Sequence, residues 1–301
     1  MLRDTLAARI REYRPANAIE QENVLQELLQ HFVLASLSRS GLFAEAIFHG
    51  GTCLRIVHGI NRFSEDLDFL LKRPDPGFRW GNHLAQVVDD CHLEGLRFEV
   101  LDKSEAVGAV RKAFLKTDSI GALLSVELPF HRLAGRKIRI KLEVDTNPPA
   151  GSAFETSYLA FPNTAVITTQ SLPSGFAMKS HALLCREYVK GRDWYDFVWY
   201  VTRRIAPDLP LLAAAVAQQG PWKGQALELS PGWLLDTLAA KIDAIDWPAA
   251  REDVRRFVPA GDQQGVDAWS KEFFRFHLGR LAETLSDQKH RATGPSPPGG
   301  R

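Results

Sequence analysis

Apolar residues recur at helical spacing from about Ile19 to Leu42, at Val24, Leu25, Leu28, Leu29, Phe32, Val33 and Leu37. They predict a long helix that Gly41 ends. AIFHGG then reads as a short strand entering a glycine turn, Cys53 to His58 as a short helix closed near Gly59, and SEDLDFLL as a strand of alternating character. Pro74, Asp75, Pro76 and Gly77 break that strand. A helix over His83 to His92 follows. Leu96 to Leu101, Val110 to Leu115 and Lys137 to Val144 are strand-like, with a short helix around Ile120 to Ser125, and Asn147-Pro148-Pro149 stops the last of them. Thr164 to Thr169 is one more strand. Beyond Ser171 the pattern is helical, over Phe176–Val189, Asp193–Arg203, Leu209–Gln218, Pro231–Ile242 and Asp267–Leu285. The Pro/Gly-rich end reads as a disordered tail. The pattern therefore predicts a mixed α/β (α+β) first domain with N-terminal helices over residues 1–170, a helical domain over 171–288 and a tail over 289–301.

Composition changes this picture little. Hydrophobic residues make up 45% and charged residues 24% of the 301, ordinary for a globular chain. The net charge of +1 advertises neither a nucleic acid nor a membrane, although a local basic patch is compatible with it. Cys53, Cys91 and Cys185 form no CxxC pair, which fits a reducing cytoplasm rather than a disulfide framework or a cysteine zinc site. The start, MLRDTLAARIREYR, is charged and amphipathic, without the apolar run of a signal peptide. No stretch approaches the roughly 20 apolar residues that span a bilayer, so no membrane partner is expected.

The chemistry concentrates in HGGTCLRIVHGINRFSEDLDFLL. Residues two apart on a strand face the same way, so Asp66 and Asp68 project from one face while Leu67 and Phe69 take the other. Adjacent carboxylates repel unless a cation or proton lies between them, and a hard cation such as Mg²⁺ (or Mn²⁺) takes oxygen ligands of this kind. A bare DxD is more often a solvated edge. The preceding turn shifts the balance: Gly50 and Gly51 open backbone conformations closed to other residues, and Thr52 is placed to cap the short helix, whose free N–H groups favour a phosphate. A phosphate cradle beside a carboxylate pair is what phosphoryl transfer from a nucleoside triphosphate (NTP) requires.

Two further segments add candidates. In RKIRIKLEVDTNPP, Arg139, Lys141, Glu143 and Asp145 alternate with apolar residues, so either Glu143 or Asp145 is available as a third carboxylate if this strand lies beside Asp68. In FAMKSHALLCREYVKGRDWYDFVWYV, Lys179 sits on the stripe of Phe176 and Leu183, either snorkelling past the core or holding a phosphate. Asp193 and Asp196 share a helix face; Asp193 is placed to orient Lys179, to act as a base, or to cap the helix after Gly191. None of the nine histidines lies in HExxH, and no GxSxG elbow is present.

Taken together, GGT, RFSEDLDF, IKLEVDTNPP, Met178-Lys179 and GRDWYDF resemble the AbiEii/AbiGii family of nucleotidyltransferase toxins, which includes the MenT toxins, over about Gln21 to Tyr200. The resemblance implies a polymerase-beta-like nucleotidyltransferase fold, a mixed sheet flanked by helices and then a helical domain. It implies that Gly51 and Thr52 belong to the turn gripping nucleotide phosphates, that Asp66 and Asp68 bind metal with Glu143 as the neighbouring carboxylate, and that Lys179 and Asp193 are needed for activity. Gly-Thr replaces the more usual Gly-Ser, and glutamate replaces a third aspartate. It further implies a bacterial toxin–antitoxin or phage-defence role, an antitoxin partner, and transfer of a nucleotide to the 3′ end of tRNA. For such RNA the sequence offers Arg55, Arg62, Arg136, Lys137, Arg139, Lys141, Arg203 and Arg204. Rival classes are a non-catalytic nucleotide-binding protein of the same fold, an enzyme modifying a protein or small molecule, and a metal nuclease.

Overall fold

The structure is a computed structural model that describes residues 2–104, 108–117, 130, 138–225 and 227–293. The short helix expected around Ile120 to Ser125 lies outside the described residues. Two compact units divide the chain: a sheet unit of residues 1–171 with 255–264, and a helical unit of 172–254 with 265–301.

The sheet unit opens with α1 (Leu2–Tyr13) and α2 (Ala18–Arg39). Asn17 caps α2, its side chain accepting from the Glu20 N–H at 2.9 Å, and Gly41 beyond the end takes φ +82°. Then come β1 (Ala46–His49), α3 (Gly50–Ile56), β2 (Asp66–Leu71), α4 (Gly81–Leu93), β3 (Glu99–Lys103), β4 (Val110–Thr117), β5 (Ile138–Asp145), β6 (Phe154–Leu159) and β7 (Ala165–Gln170). The seven strands form one mixed sheet in the order β3-β4-β5-β2-β1-β7-β6. β2 runs antiparallel to β1 and parallel to β5, so the carboxylate strand is central, paired on both sides.

Alternation sorts the strand faces. On β2, Leu67 and Phe69 are buried while Asp66 and Asp68 are half-buried. On β5, Ile138, Ile140, Leu142 and Val144 are buried and the charged residues between them are not. The apolar faces join Leu28, Leu29 and Phe32 of α2 in one core, within which the Phe48 and Phe69 rings lie 5.5 Å apart. Phe257, from the returning segment, is 1% exposed in the same core, and its carbonyl accepts from the Phe63 N–H at 2.7 Å.

Several expectations need correction. The short helix begins at Gly50, not Cys53. The strand expected from Leu96 starts at Glu99, Leu96 being buried outside it. β6 and the return of 255–264 to the sheet unit had no counterpart in the periodicity.

The helical unit contains α5 (Leu172–Cys185), α6 (Gly191–Thr202), α7 (Leu209–Gln218), α8 (Pro231–Ala244), α9 (Trp247–Arg255), α10 (Gln263–Asp267) and α11 (Lys271–Thr293), of which α9 and α10 cross its boundaries with the returning segment. α11 runs on into the stretch expected as tail. Aromatic rings centre its core: Trp247 stacks on Phe274 at 3.9 Å, and Trp194 meets Phe274 edge-on at 5.3 Å.

Candidate active site

The turn and the carboxylates are built against each other. His49, the last residue of β1, pairs across with Asp68, and the chain leaves β1 directly into α3. Gly50 makes that corner at φ +77°, and a Cβ there would come within 2.8 Å of Asp68 Oδ2. Glycine is thus required twice, for the left-handed backbone and for the closeness of the carboxylate. At Gly51 a Cβ would meet Arg62 Nη2 at 2.6 Å. Arg62 is 2% exposed and donates to the Phe63 carbonyl at 3.0 Å. It is an internal support of the turn, not the surface phosphate contact expected of it. Arg55 is likewise internal: it donates to Glu27 at 2.7 Å and lies over the Phe63 ring.

Thr52 does not cap the helix. The cap position is His49, which makes no side-chain cap bond, and Thr52 is buried with its hydroxyl donating to the Asp66 carbonyl. That bond ties α3 to the first residue of β2. From α2, Gln30 donates to the Ser64 carbonyl at 3.0 Å and the Glu65 carbonyl at 2.9 Å, and Gln26 donates to Glu65 at 2.9 Å. The approach to Asp66 is therefore held from two sides, by glutamines the sequence reading passed over.

Parallel pairing of β2 and β5 sets Lys141 opposite Asp66 and Glu143 opposite Asp68. Asp145 falls opposite Leu70 and accepts from the Asn147 N–H at 2.9 Å; burial raises its pKa, that bond partly offsetting it. The register thus puts Glu143, not Asp145, beside the pair. Glu143 is already engaged: Lys141 Nζ lies 2.5 Å from it and Lys112 Nζ 3.2 Å. Burial alone would raise the Glu143 pKa, but the two ammonium groups lower it. Burial works against the charge on Lys141, yet Glu143, Asp66 and Asp68 outweigh it and raise its pKa. Lys141 also reaches Asp66 at 3.7 Å. Among the described residues no group of three His, Cys, Asp or Glu side chains stands ready for a metal ion. Asp66 and Asp68, half-buried on one face, fit the oxygen-donor preference of a hard divalent cation that keeps waters and phosphate as its other ligands. Glu143 fits it only once its lysines let go.

In the helical unit, Lys179 does not snorkel. Its Nζ lies 2.7 Å from Asp193 Oδ1 and 2.8 Å from Asp196 Oδ2, carboxylates 3% and 0% exposed. Arg186 approaches the other Asp193 oxygen at 2.8 Å. Burial pushes the Asp193 carboxyl up, but Lys179 and Arg186 outweigh it and hold it at about 2. A carboxylate so held is a weak base, and neither is it the cap of α6, whose cap residue is Lys190. Beside it a hollow of about 160 Å³ is lined by Arg186, Lys190 and Lys241 and by the carboxylates of Glu187 and Asp193 itself. Lys190 has its pKa lowered by burial and then by Arg192 and its other cationic neighbours. Of the remaining basic candidates, Arg139 is exposed over the Phe114 ring, Arg203 lies over the Trp199 ring and Arg204 takes φ +54°; Arg136 and Lys137 lie outside the described residues.

Residues 32–274 match the family described as the nucleotidyl transferase AbiEii toxin of type IV toxin–antitoxin systems. Two crystal structures from Helicobacter pylori are similar. One, described as a candidate nucleotidyltransferase, is 14% identical, covers 90% of this chain and 99% of its own, and has a TM-score of 0.49. The other, JHP933, is 16% identical over 90% of this chain and 96% of its own, with a TM-score of 0.50, and that likeness is one of fold. No curated protein matches. No helix among the described residues is long and apolar enough to cross a membrane.

Proposed function

The chain belongs to the AbiEii nucleotidyltransferase toxin family, and from that premise we propose that it transfers a nucleotide from an NTP to the 3′ end of tRNA in the cytoplasm, under the control of a cognate antitoxin. The observation that carries the chemistry is the packing of Gly50 against Asp68, with Asp66 on the same strand face and Glu143 across from Asp68. Asp66 and Asp68 would hold Mg²⁺ or Mn²⁺, with Glu143 as a further carboxylate on the same face. A hard cation bound there supplies positive charge against the triphosphate.

The chain's own part is to bind and align. Gly50 and Gly51 let the backbone turn without side chains in the way, and the N–H groups at the start of α3 offer donors to phosphate oxygens. Thr52 serves through its backbone and through the hydroxyl that anchors Asp66. The acceptor hydroxyl oxygen bonds to the α-phosphorus as the bond to the bridging oxygen breaks, and pyrophosphate leaves in line. Lys179 is the proposed phosphate contact, and Asp193 its positioning residue. The hollow beside Asp193, which Arg186, Lys190 and Lys241 line together with Glu187 and Asp193, carries one more cation than carboxylates, which supports an anionic ligand near the pair.

The test is incubation of the full chain with each labelled NTP, Mg²⁺ or Mn²⁺, and total cellular RNA and protein, followed by electrophoresis. Label is expected in the tRNA band and is expected to vanish with excess chelator. Label in a protein band, with none at tRNA 3′ ends, would refute the RNA acceptor and leave the transferase standing. Absence of label everywhere counts for a nucleotide-binding protein without turnover.

A further inference from the structure

The strand beside the aspartates carries a lysine two residues before Glu143, on the same face. The register makes a square: Asp66 opposite Lys141 and Asp68 opposite Glu143. Lys141 Nζ stands inside it, 2.5 Å from Glu143 and 3.7 Å from Asp66, with only 23% of its side chain exposed. Lys112, reaching across from β4, closes the far side of Glu143 at 3.2 Å. Three carboxylates thus face two ammonium groups, and the inner one lies among them as an ion would.

We propose that Lys141 is a built-in counter-cation of the carboxylate face, one that a divalent ion must displace, so that this residue sets how tightly the site takes metal. The inference rests on the metal reading of Asp66 and Asp68 given above. Its physical basis is competition between like charges. Lys141 Nζ lies 3.7 Å from Asp66, so a dication held by Asp66 would meet the ammonium charge at short range, where repulsion in a half-buried setting is substantial. The same ammonium withholds Glu143, so while it stays the site offers fewer oxygen donors. Lys141 is then a positioning residue: it acts through Asp66 and Glu143.

The experiment titrates Mn²⁺ into the full-length protein without nucleotide and follows free Mn²⁺ by electron paramagnetic resonance. Circular dichroism and thermal melting confirm that each variant is folded. Lys141→Gln is expected to bind Mn²⁺ roughly tenfold more tightly than the unaltered chain. Lys141→Arg, which keeps the charge, is expected to stay within about threefold of it. Equal or weaker binding by Lys141→Gln, with the unaltered chain binding normally, overturns the proposal and spares the metal reading. Tightening by Lys141→Arg as large as that by Lys141→Gln also overturns it, because charge is then not the cause. If no form binds Mn²⁺, the metal reading falls and the proposal with it.

Discussion

Asp66 and Asp68 are half-buried on one face of β2, opposite Lys141 and Glu143 of β5. Asparagine at either position keeps shape while removing charge. Asp66→Asn and Asp68→Asn are expected to lower nucleotide transfer by about a hundredfold or more while the melting temperature stays near that of the unaltered chain. Unfolding of these variants would mean the carboxylates are structural. Gly50 behaves oppositely. Alanine there must adopt φ +77° and push its Cβ against Asp68, so Gly50→Ala is expected to cost about 1–3 kcal/mol of stability in denaturant titration and to lower transfer as well. Asp193 gives a pH dependence. Its carboxyl is held at about 2 when folded against 3.8 when free, so its contribution to stability is fully present above pH 4 and is lost as the pH falls through 2. That shift corresponds to roughly 2 kcal/mol. Acid titration followed by tryptophan fluorescence, with Trp194 beside it in the same helix, reads the loss; an Asp193→Asn chain that shows the same slope between pH 4 and 2 would remove Asp193 as its source.

At the scale of elements, what could be read from sequence was what is local. The alternation of DLDFLL assigned Asp66 and Asp68 to one face because a strand's period is two whatever it pairs with. The helix α2 and its stop at Gly41 were legible for the same reason. The choice of Glu143 over Asp145 was not, because it depends on a parallel register between strands far apart in sequence. Arg55 and Arg62 read as phosphate-tracking cations because charge alone discloses neither the room that Gly51 leaves for the Arg62 guanidinium nor the Glu27 carboxylate that holds Arg55. β6 escaped because it is an edge strand whose Phe154, Thr156 and Tyr158 are exposed, with Leu159 its one buried residue, too little burial to impose alternation. Apolar spacing alone gives no role to the polar residues inside α2, yet Gln30 holds two carbonyls ahead of Asp66. Gln30→Leu, which fills the space without donating, is expected to cost about 1–3 kcal/mol and to lower transfer; a melt unchanged from the original would show those carbonyls satisfied otherwise.

At the scale of the whole molecule, charge is divided between inward and outward uses. With Arg55 and Arg62 committed inside, RNA binding would rest on exposed cations such as Arg139, and the net charge of +1 leaves little general attraction. Transfer to tRNA is nevertheless expected to fall steeply between about 50 and 200 mM salt, since each neutralised phosphate releases counterion. A shallow dependence would favour a small-molecule acceptor. In the helical unit, Lys179 faces two buried carboxylates. Lys179→Met is expected to destabilise this unit by about 3–5 kcal/mol and to reduce transfer, whereas a stable but inactive variant would mean that Lys179 serves the substrate alone.

The return of residues 255–264 to the sheet unit has a consequence in time. A ribosome delivers chain in order, so the strands and both aspartates emerge well before Phe257, and the core they surround stays one ring short through synthesis of most of the helical unit. The carboxylate-bearing unit therefore completes itself late. A nascent chain halted at Ser171 is expected to be cleaved readily by added protease, and one halted well past Asp262 to resist it, so that for an interval of translation the aspartates exist on a sheet whose core is not yet closed.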